Sequence, residues 1–289
     1  MACSTFKNDR FIWLDSANTL SLVADETARD GISTPASGDG AWLKDPGRYD
    51  TYASSWQDDQ TARPITDFSL SSAFDETDTT DSETAGTAKD IISVRHEDTL
   101  TTTGVLYSST EGISGKDLGF TFNSVDYKAT DVSYTRAYDI VNCTNSTTTT
   151  TLKEFTYDRY EASGTATLIM TEGTAAPVTG SQQTGTVEFD GSNVKISGTM
   201  EIISCDHTGS RGDKNMYSIS YRIIGAVTET GVTNEYEDVG AAILVIAPAH
   251  GYQFNSIFKE SFSMTANVEG DATRTDTWRI NGGFTEFIS

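Results

Sequence analysis

Three histidines, three cysteines and a large surplus of carboxylates are the groups with which this sequence could do acid–base, nucleophilic or metal chemistry. His96, His207 and His250 stand far apart in polar, loop-like surroundings, and none has a second ligand type at a zinc spacing such as HExxH. They read as ordinary surface or turn histidines. The chain has no GxSxG elbow, no phosphate-binding P-loop and no GxGxxG turn between a strand and a helix. Two carboxylates suffice for a glycosidase, but 42 acidic residues single out no pair. The sequence therefore points to a non-enzymatic protein.

Oxygen ligands for calcium are the one metal chemistry the acids suggest. The tract from Asp75 to Glu83 supplies Asp75, Asp78 and Asp81, and Asp58-Asp59 forms a second pair. The ordered Asp-x-Asp-x-Asp-Gly loop is missing, so no cofactor is expected, with calcium at these three aspartates as the fallback. Cys3, Cys143 and Cys205 match neither a disulfide framework nor a redox CxxC pair. Cys143 and Cys205 are read either as one disulfide, since both flanks resemble strand ends, or as two free thiols. Arg211-Gly212-Asp213 copies a receptor tripeptide that a Gly-Asp turn explains equally well. Asn142-Cys143-Thr144 and Asn145-Ser146-Thr147 are glycosylation sequons.

Between Ala41 and Asp59, Trp42, Tyr49, Tyr52 and Trp56 are interleaved with Asp, Arg and Gln. Such a segment can stack on sugar rings while bonding their hydroxyls. The favoured reading is different: these aromatics anchor an irregular loop onto a sheet or onto a neighbouring subunit.

The elements that position these residues are strands. From about Ile91 onward the pattern is period-two alternation punctuated by glycine, as in Thr165–Met170 and Tyr217–Ile223. Asp190-Gly191 marks a hairpin between Gly185–Phe189 and Val194–Gly198. Val239–Pro248 reads as a buried sheet segment, and two long strands, Phe258–Val268 and Thr275–Ile280, close the chain. No segment carries a helical stripe, and the heavy use of threonine favours strands. The expectation is an all-β antiparallel sandwich or open barrel built of hairpins over residues 91–289, preceded by a loop-rich, irregular N-terminal region or arm over residues 1–90.

A net charge of -22 sets the class of partner. It repels phosphate and anionic headgroups, so nucleic acid is not an expected partner, and no stretch approaches a membrane span. Acidic, Thr- and Gly-rich, cysteine-poor β composition without an export signal fits a structural subunit of a particle. The expected role is a virion component (capsid, decoration or tail protein) that contacts copies of itself or other particle subunits. The alternative is an extracytoplasmic surface lipoprotein, anchored at the cell surface or in the periplasm through lipidated Cys3, or a carbohydrate-binding module whose partner is a glycan.

Overall fold

The computed structural model describes residues 10–15, 19–37, 39–43, 48–53, 56–58, 63–78, 91–108, 111–112, 115–144, 153, 155–191, 193–209, 214–232, 240–247, 250–281 and 283–288. Before residue 91 lie β1 (Arg10–Asp15), β2 (Leu20–Val23), the short helix α1 (Glu26–Asp30), β3 (Gly40–Leu43), β4 (Arg48–Tyr52), β5 (Trp56–Asp58), β6 (Arg63–Pro64) and β7 (Asp67–Asp78). Then come β8 (Ile91–Val105), β9 (Tyr107–Ser108), β10 (Glu111–Gly112), β11 (Gly119–Phe122), β12 (Val125–Asn142), β13 (Phe155–Ile169) and β14 (Gln182–Asp190). The chain finishes with β15 (Val194–Thr208), β16 (Met216–Thr230), β17 (Gly240–Ala247), β18 (His250–Asn267), β19 (Thr273–Ile280) and β20 (Phe284–Ile288). The protein is nearly all β with a large antiparallel sheet, as its alternation implies; in the small second sheet β2 and β3 run parallel.

Alternation decides what each strand buries. In β16, Tyr217, Ile219, Tyr221 and Ile223 are buried, whereas Ser218 and Arg222 are exposed. The same rule repeated over six strands produces a ring. β11 pairs with β14, and the order continues β15, β16, β13, β12, with β12 pairing back to β11. This closes a six-stranded barrel and removes its edges. Its interior is packed with Phe120, Tyr134, Leu168, Phe189, Ile196, Met200 and Tyr221, all at most 1% exposed. Burying side chains of this size contributes roughly 1.5–3 kcal/mol each.

Two tight turns set the register of the ring. Asn123 and Ser124 both have positive φ (52° and 62°), the conformation a two-residue hairpin demands, and join β11 to β12. Gly191 (φ 50°) turns β14 into β15, with Asn193 N–H donating to the Asp190 carbonyl at 2.9 Å. A third glycine has a different task. Gly164 of β13 lies directly opposite Tyr221 of β16, and a Cβ there would sit 2.4 Å from the Tyr221 hydroxyl. The bare backbone lets the phenol cross β13 and donate to the Ser133 carbonyl of β12 at 2.6 Å.

The 18-residue β12 belongs to two structures at once. Its first residues close the barrel against β11, and Asp131–Ala137 pairs with β18 of an open sheet. There β18 is flanked by β17, β19 and β20, while β19 leads to β8 and β8 to β7. β1 adds to β17, and β6 to β1. A small sheet, β2-β3-β4-β5, lies beside them. Its Leu20, Trp42 and Tyr49 form one cluster with Ile12 of β1, Ile243 and Val245 of β17, and Phe287 of β20.

Residues before 91 thus supply β1, β6 and β7 to the large sheet, and strand pairing runs across the boundary expected at residue 90. The N-terminal region holds strands where irregular loop was expected. Its loops are tied down by side chains: Asp39 accepts from Thr19 N–H and Ala36 N–H, each at 2.7 Å. Arg29 of α1 pairs with the fully buried Asp50 of β4.

Candidate functional surface

Where β12 joins the barrel wall to the open sheet, the outer faces of β13, β12, β18, β19 and β8 run on from one another and are rich in serine and threonine. Thr103, Thr275, Ser263, Thr135 and Ser163 occupy one register row across β8, β19, β18, β12 and β13. A second row passes through Thr273, Thr265 and Ser133, and is carried on by Thr165, Ser220 and Ser204. A third contains Ser69, Thr101, Thr277 and Ser261. These residues alternate with the buried ones and are half-buried or exposed.

The hydroxyls bond sideways to one another. Thr103 and Thr275 are 3.1 Å apart, Thr265 and Thr273 2.8 Å, Ser133 and Thr165 2.8 Å, and Ser204 and Ser220 3.1 Å. Each cross-strand pair of this kind stabilises the sheet by roughly 0.2–1 kcal/mol. Charges lie at the margins: Asp67 stands in register with Thr103 at the end of the first row, Arg279 pairs with Glu260 at 2.8 Å, and Arg222 with Glu201 at 2.7 Å. The six strands from β7 to β13, at about 4.8 Å spacing, make the field roughly 24 Å wide, and three rows make it roughly 14 Å deep; beyond β13 the surface turns away around the closed barrel. In a chain of net charge -22 this near-neutral field is the most distinctive surface.

The residues singled out in the sequence are dispersed. Trp42 and Tyr49 are directly paired across β3 and β4, and they are 2% and 4% exposed. Their rings are spent on the cluster with Ile243 and Val245, and offer no open face to a sugar. Tyr52 is half-buried at the end of β4, in register with Trp56 of β5. Cys143 and Cys205 are both free, a correction to the bridged alternative. Cys143 directly follows β12 and Cys205 lies in β15, and those strands are separated by β13 and β16. Three spacings put them roughly 14 Å apart, beyond the reach of a disulfide.

Asp75 accepts from Lys153 Nζ at 2.8 Å, so its carboxylate already has a cation. Asp78 ends β7, so the first part of the acidic tract is strand where loop was expected; Asp81 lies outside the described residues. Among the described residues no three His, Cys, Asp or Glu side chains gather around a point that could hold a metal. Cys3, Asp59, Arg211-Gly212-Asp213 and the sequon at Asn145 also fall outside the described residues.

The histidines lie on strands, not in loops. His207 of β15 packs edge-on against Tyr217 at 4.6 Å, and His250 of β18 meets Glu286 at 3.1 Å. His96 of β8 stands 3.5 Å from Asp98, which also accepts from Ser72 Oγ at 2.5 Å. The carboxylate separates the hydroxyl from the imidazole. A nucleophilic serine needs the histidine next to it, so this order gives Ser72 no base.

Polar groups inside the protein serve the junction between barrel and sheet. Tyr134 donates to Glu229 at 2.6 Å, and Arg136 approaches the same carboxylate at 3.4 Å while stacking over Tyr160 at 3.9 Å. Asp276 of β19 receives Arg274 at 2.8 Å and Lys259 at 3.3 Å. Burial and the neighbouring Glu229 push the Tyr134 phenol well above its usual range, and burial alone does so for Tyr221. Both remain protonated donors, which suits a structural lock.

The hydroxyl field was not among the residues nominated from the sequence. Its signal is nonetheless there, in Thr99-x-Thr101-x-Thr103, Thr273-x-Thr275-x-Thr277 and Ser261-x-Ser263-x-Thr265. Fold and surface define the class: a strand-rich protein with a broad neutral face. Comparison with known proteins finds no matching family model and no matching curated protein.

Proposed function

We propose that this protein is a non-enzymatic structural subunit of a supramolecular assembly, a virion component of the capsid, decoration or tail type that works through subunit–subunit contacts. The observation that carries this reading is the hydroxyl field. Copies that each carry a charge of -22 repel one another, and they can come into contact only where charge is sparse. The field meets that condition across the six strands from β7 to β13. Thr103 and Thr275, Thr265 and Thr273, and Ser133 and Thr165 already bond in pairs, so covering them removes water from groups that stay bonded. The area of the field is roughly 340 Å², against about 800 Å² per partner for a stable interface, so a further contact must add to it.

The test is the native mass and shape of the full chain, by light scattering and negative-stain microscopy, from low to high salt and with and without calcium. Ordered oligomers, rings, tubes or shells that grow as salt screens the charge are expected. Thr275→Asp, which puts a charge in the centre of the field, should shift the distribution toward smaller species at unchanged melting temperature. A chain that stays monomeric at millimolar concentration and high salt would overturn the reading.

A further inference from the structure

The edge of the open sheet supplies the missing contact. Among the described residues β7 pairs with β8 alone, so on its other side no strand is paired to it; the Phe68 N–H is met by its own neighbour Asp67, at 2.9 Å. Proteins guard such edges with lysine, proline or a bulge. From Asp67 to Phe74 (DFSLSSAF) there is no lysine, arginine or proline, and the pairing with β8 is regular. The guards begin only afterwards, with a register shift between Phe74 and Glu76 and the acids Asp75, Glu76 and Asp78. The edge strand β20 is different: it has five residues with Glu286 at its centre, so self-pairing there would set Glu286 against its own copy.

We infer that β7 pairs antiparallel with β7 of a second copy, about a twofold axis at Leu70; this rests on the structural-subunit reading and names its contact. The register follows from two constraints. Opposed residues in an antiparallel pair point to the same side of the sheet, so even positions must meet even positions and odd must meet odd. An axis at Ser71 would set Asp67 against Asp75 of the other copy, and an axis at Ser72 would set Ser69 against Asp75 and Phe68 against Glu76. An axis at Leu70 opposes Leu70 to Leu70, Ser69 to Ser71, Phe68 to Ser72 and Asp67 to Ala73. No two charges meet. Half-buried Phe68 and Leu70 gain cover, and Ser69, Ser71 and Ser72, all exposed, become covered. The axis is perpendicular to the sheet, so the two hydroxyl fields join into one face of double width.

A charge swap tests this register. Ser69→Lys with Ser71→Lys places two like-charged pairs directly opposite one another in the dimer, and should weaken association roughly tenfold. Ser69→Lys with Ser71→Glu makes both pairs complementary and should restore it, because each introduced lysine then faces the introduced glutamate of the other copy. In a chain whose three cysteines are replaced by serine, Leu70→Cys should oxidise to a covalent dimer, whereas Ser72→Cys, opposite Phe68, should not. If the wild type assembles but the swap fails to restore association, or Ser72→Cys links as readily as Leu70→Cys, the β7 contact is wrong and the structural reading stands. If the wild type is monomeric throughout, both fall.

Discussion

Replacing Gly164 by alanine puts the barrel wall under a test that can be calculated in advance. The added Cβ would lie 2.1 Å from the Ser133 carbonyl oxygen and 2.4 Å from the Tyr221 hydroxyl, where real contacts stay beyond 3.0 Å. The phenol must therefore retreat by roughly an ångström, which stretches its 2.6 Å bond to Ser133 past the limit of a hydrogen bond. A buried hydroxyl left without its acceptor costs about 1–3 kcal/mol, and crowding a packed wall costs about 1–3 kcal/mol more. The sum, about 2–6 kcal/mol, is a large part of the 5–15 kcal/mol typical of a folded domain. Urea denaturation of Gly164→Ala, Tyr221→Phe and the double variant gives the assay. Tyr221→Phe alone should cost about 0.5–1.5 kcal/mol, and the double variant should cost less than the two singles added together, because the hydroxyl that Cβ collides with is gone. A Gly164→Ala variant within about 0.5 kcal/mol of wild type, with strict additivity, would refute the argument that the glycine exists to let Tyr221 through.

Three further outcomes follow from buried groups. Arg29→Ala removes the guanidinium from the fully buried Asp50 and should cost about 3–5 kcal/mol, with early proteolytic cleavage in the small sheet; an unchanged cleavage pattern and stability would contradict this. Tyr134 and Tyr221 are held protonated in the fold while in the unfolded chain they ionise near 10.0, so their contribution is complete below pH 10 and is lost as pH rises above it. The loss should approach about 1.4 kcal/mol per pH unit for each, and alkaline denaturation of Tyr221→Phe should show a shallower decline. Thiol labelling of the native chain should modify exposed Cys143 quickly and half-buried Cys205, whose thiol burial pushes up, slowly; a covalent link between their peptides would contradict the free thiols.

Where local chemistry determined the outcome, the sequence could be read directly. Asp190-Gly191 forms its hairpin, Val239–Pro248 contains the buried strand β17, and the two C-terminal strands are β18 and β19. Long-range pairing was not legible. Closure of the barrel depends on four residues, Gly119–Phe122, pairing on one side with β12 and on the other with β14, some sixty residues further along. Nothing in a short Phe-Thr-Phe run announces a second partner. β7 was hidden by its acids: Glu76, Thr77 and Asp78 stand in register with Ser93, Ile92 and Ile91, in a stretch whose composition reads as loop. The aromatics from Trp42 to Trp56 were noticed for their chemistry, but which way a ring points depends on the register of β3 and β4. That register turns Trp42 and Tyr49 inward. The threonine rows were visible as alternation, and only the order of the strands shows that they lie side by side.

The pairing of β1 with β17 has a consequence for synthesis. Residues 10–15 pair with residues 240–245, so β1, which meets β6 early, leaves the ribosome about 230 residues ahead of its longer partner. At about 5–20 residues per second, the apolar side chains of Phe11 and Ile12 wait for roughly 10 to 50 seconds before β17 emerges. During that interval it is the charge of the nascent chain, not its fold, that keeps neighbouring copies on one message apart.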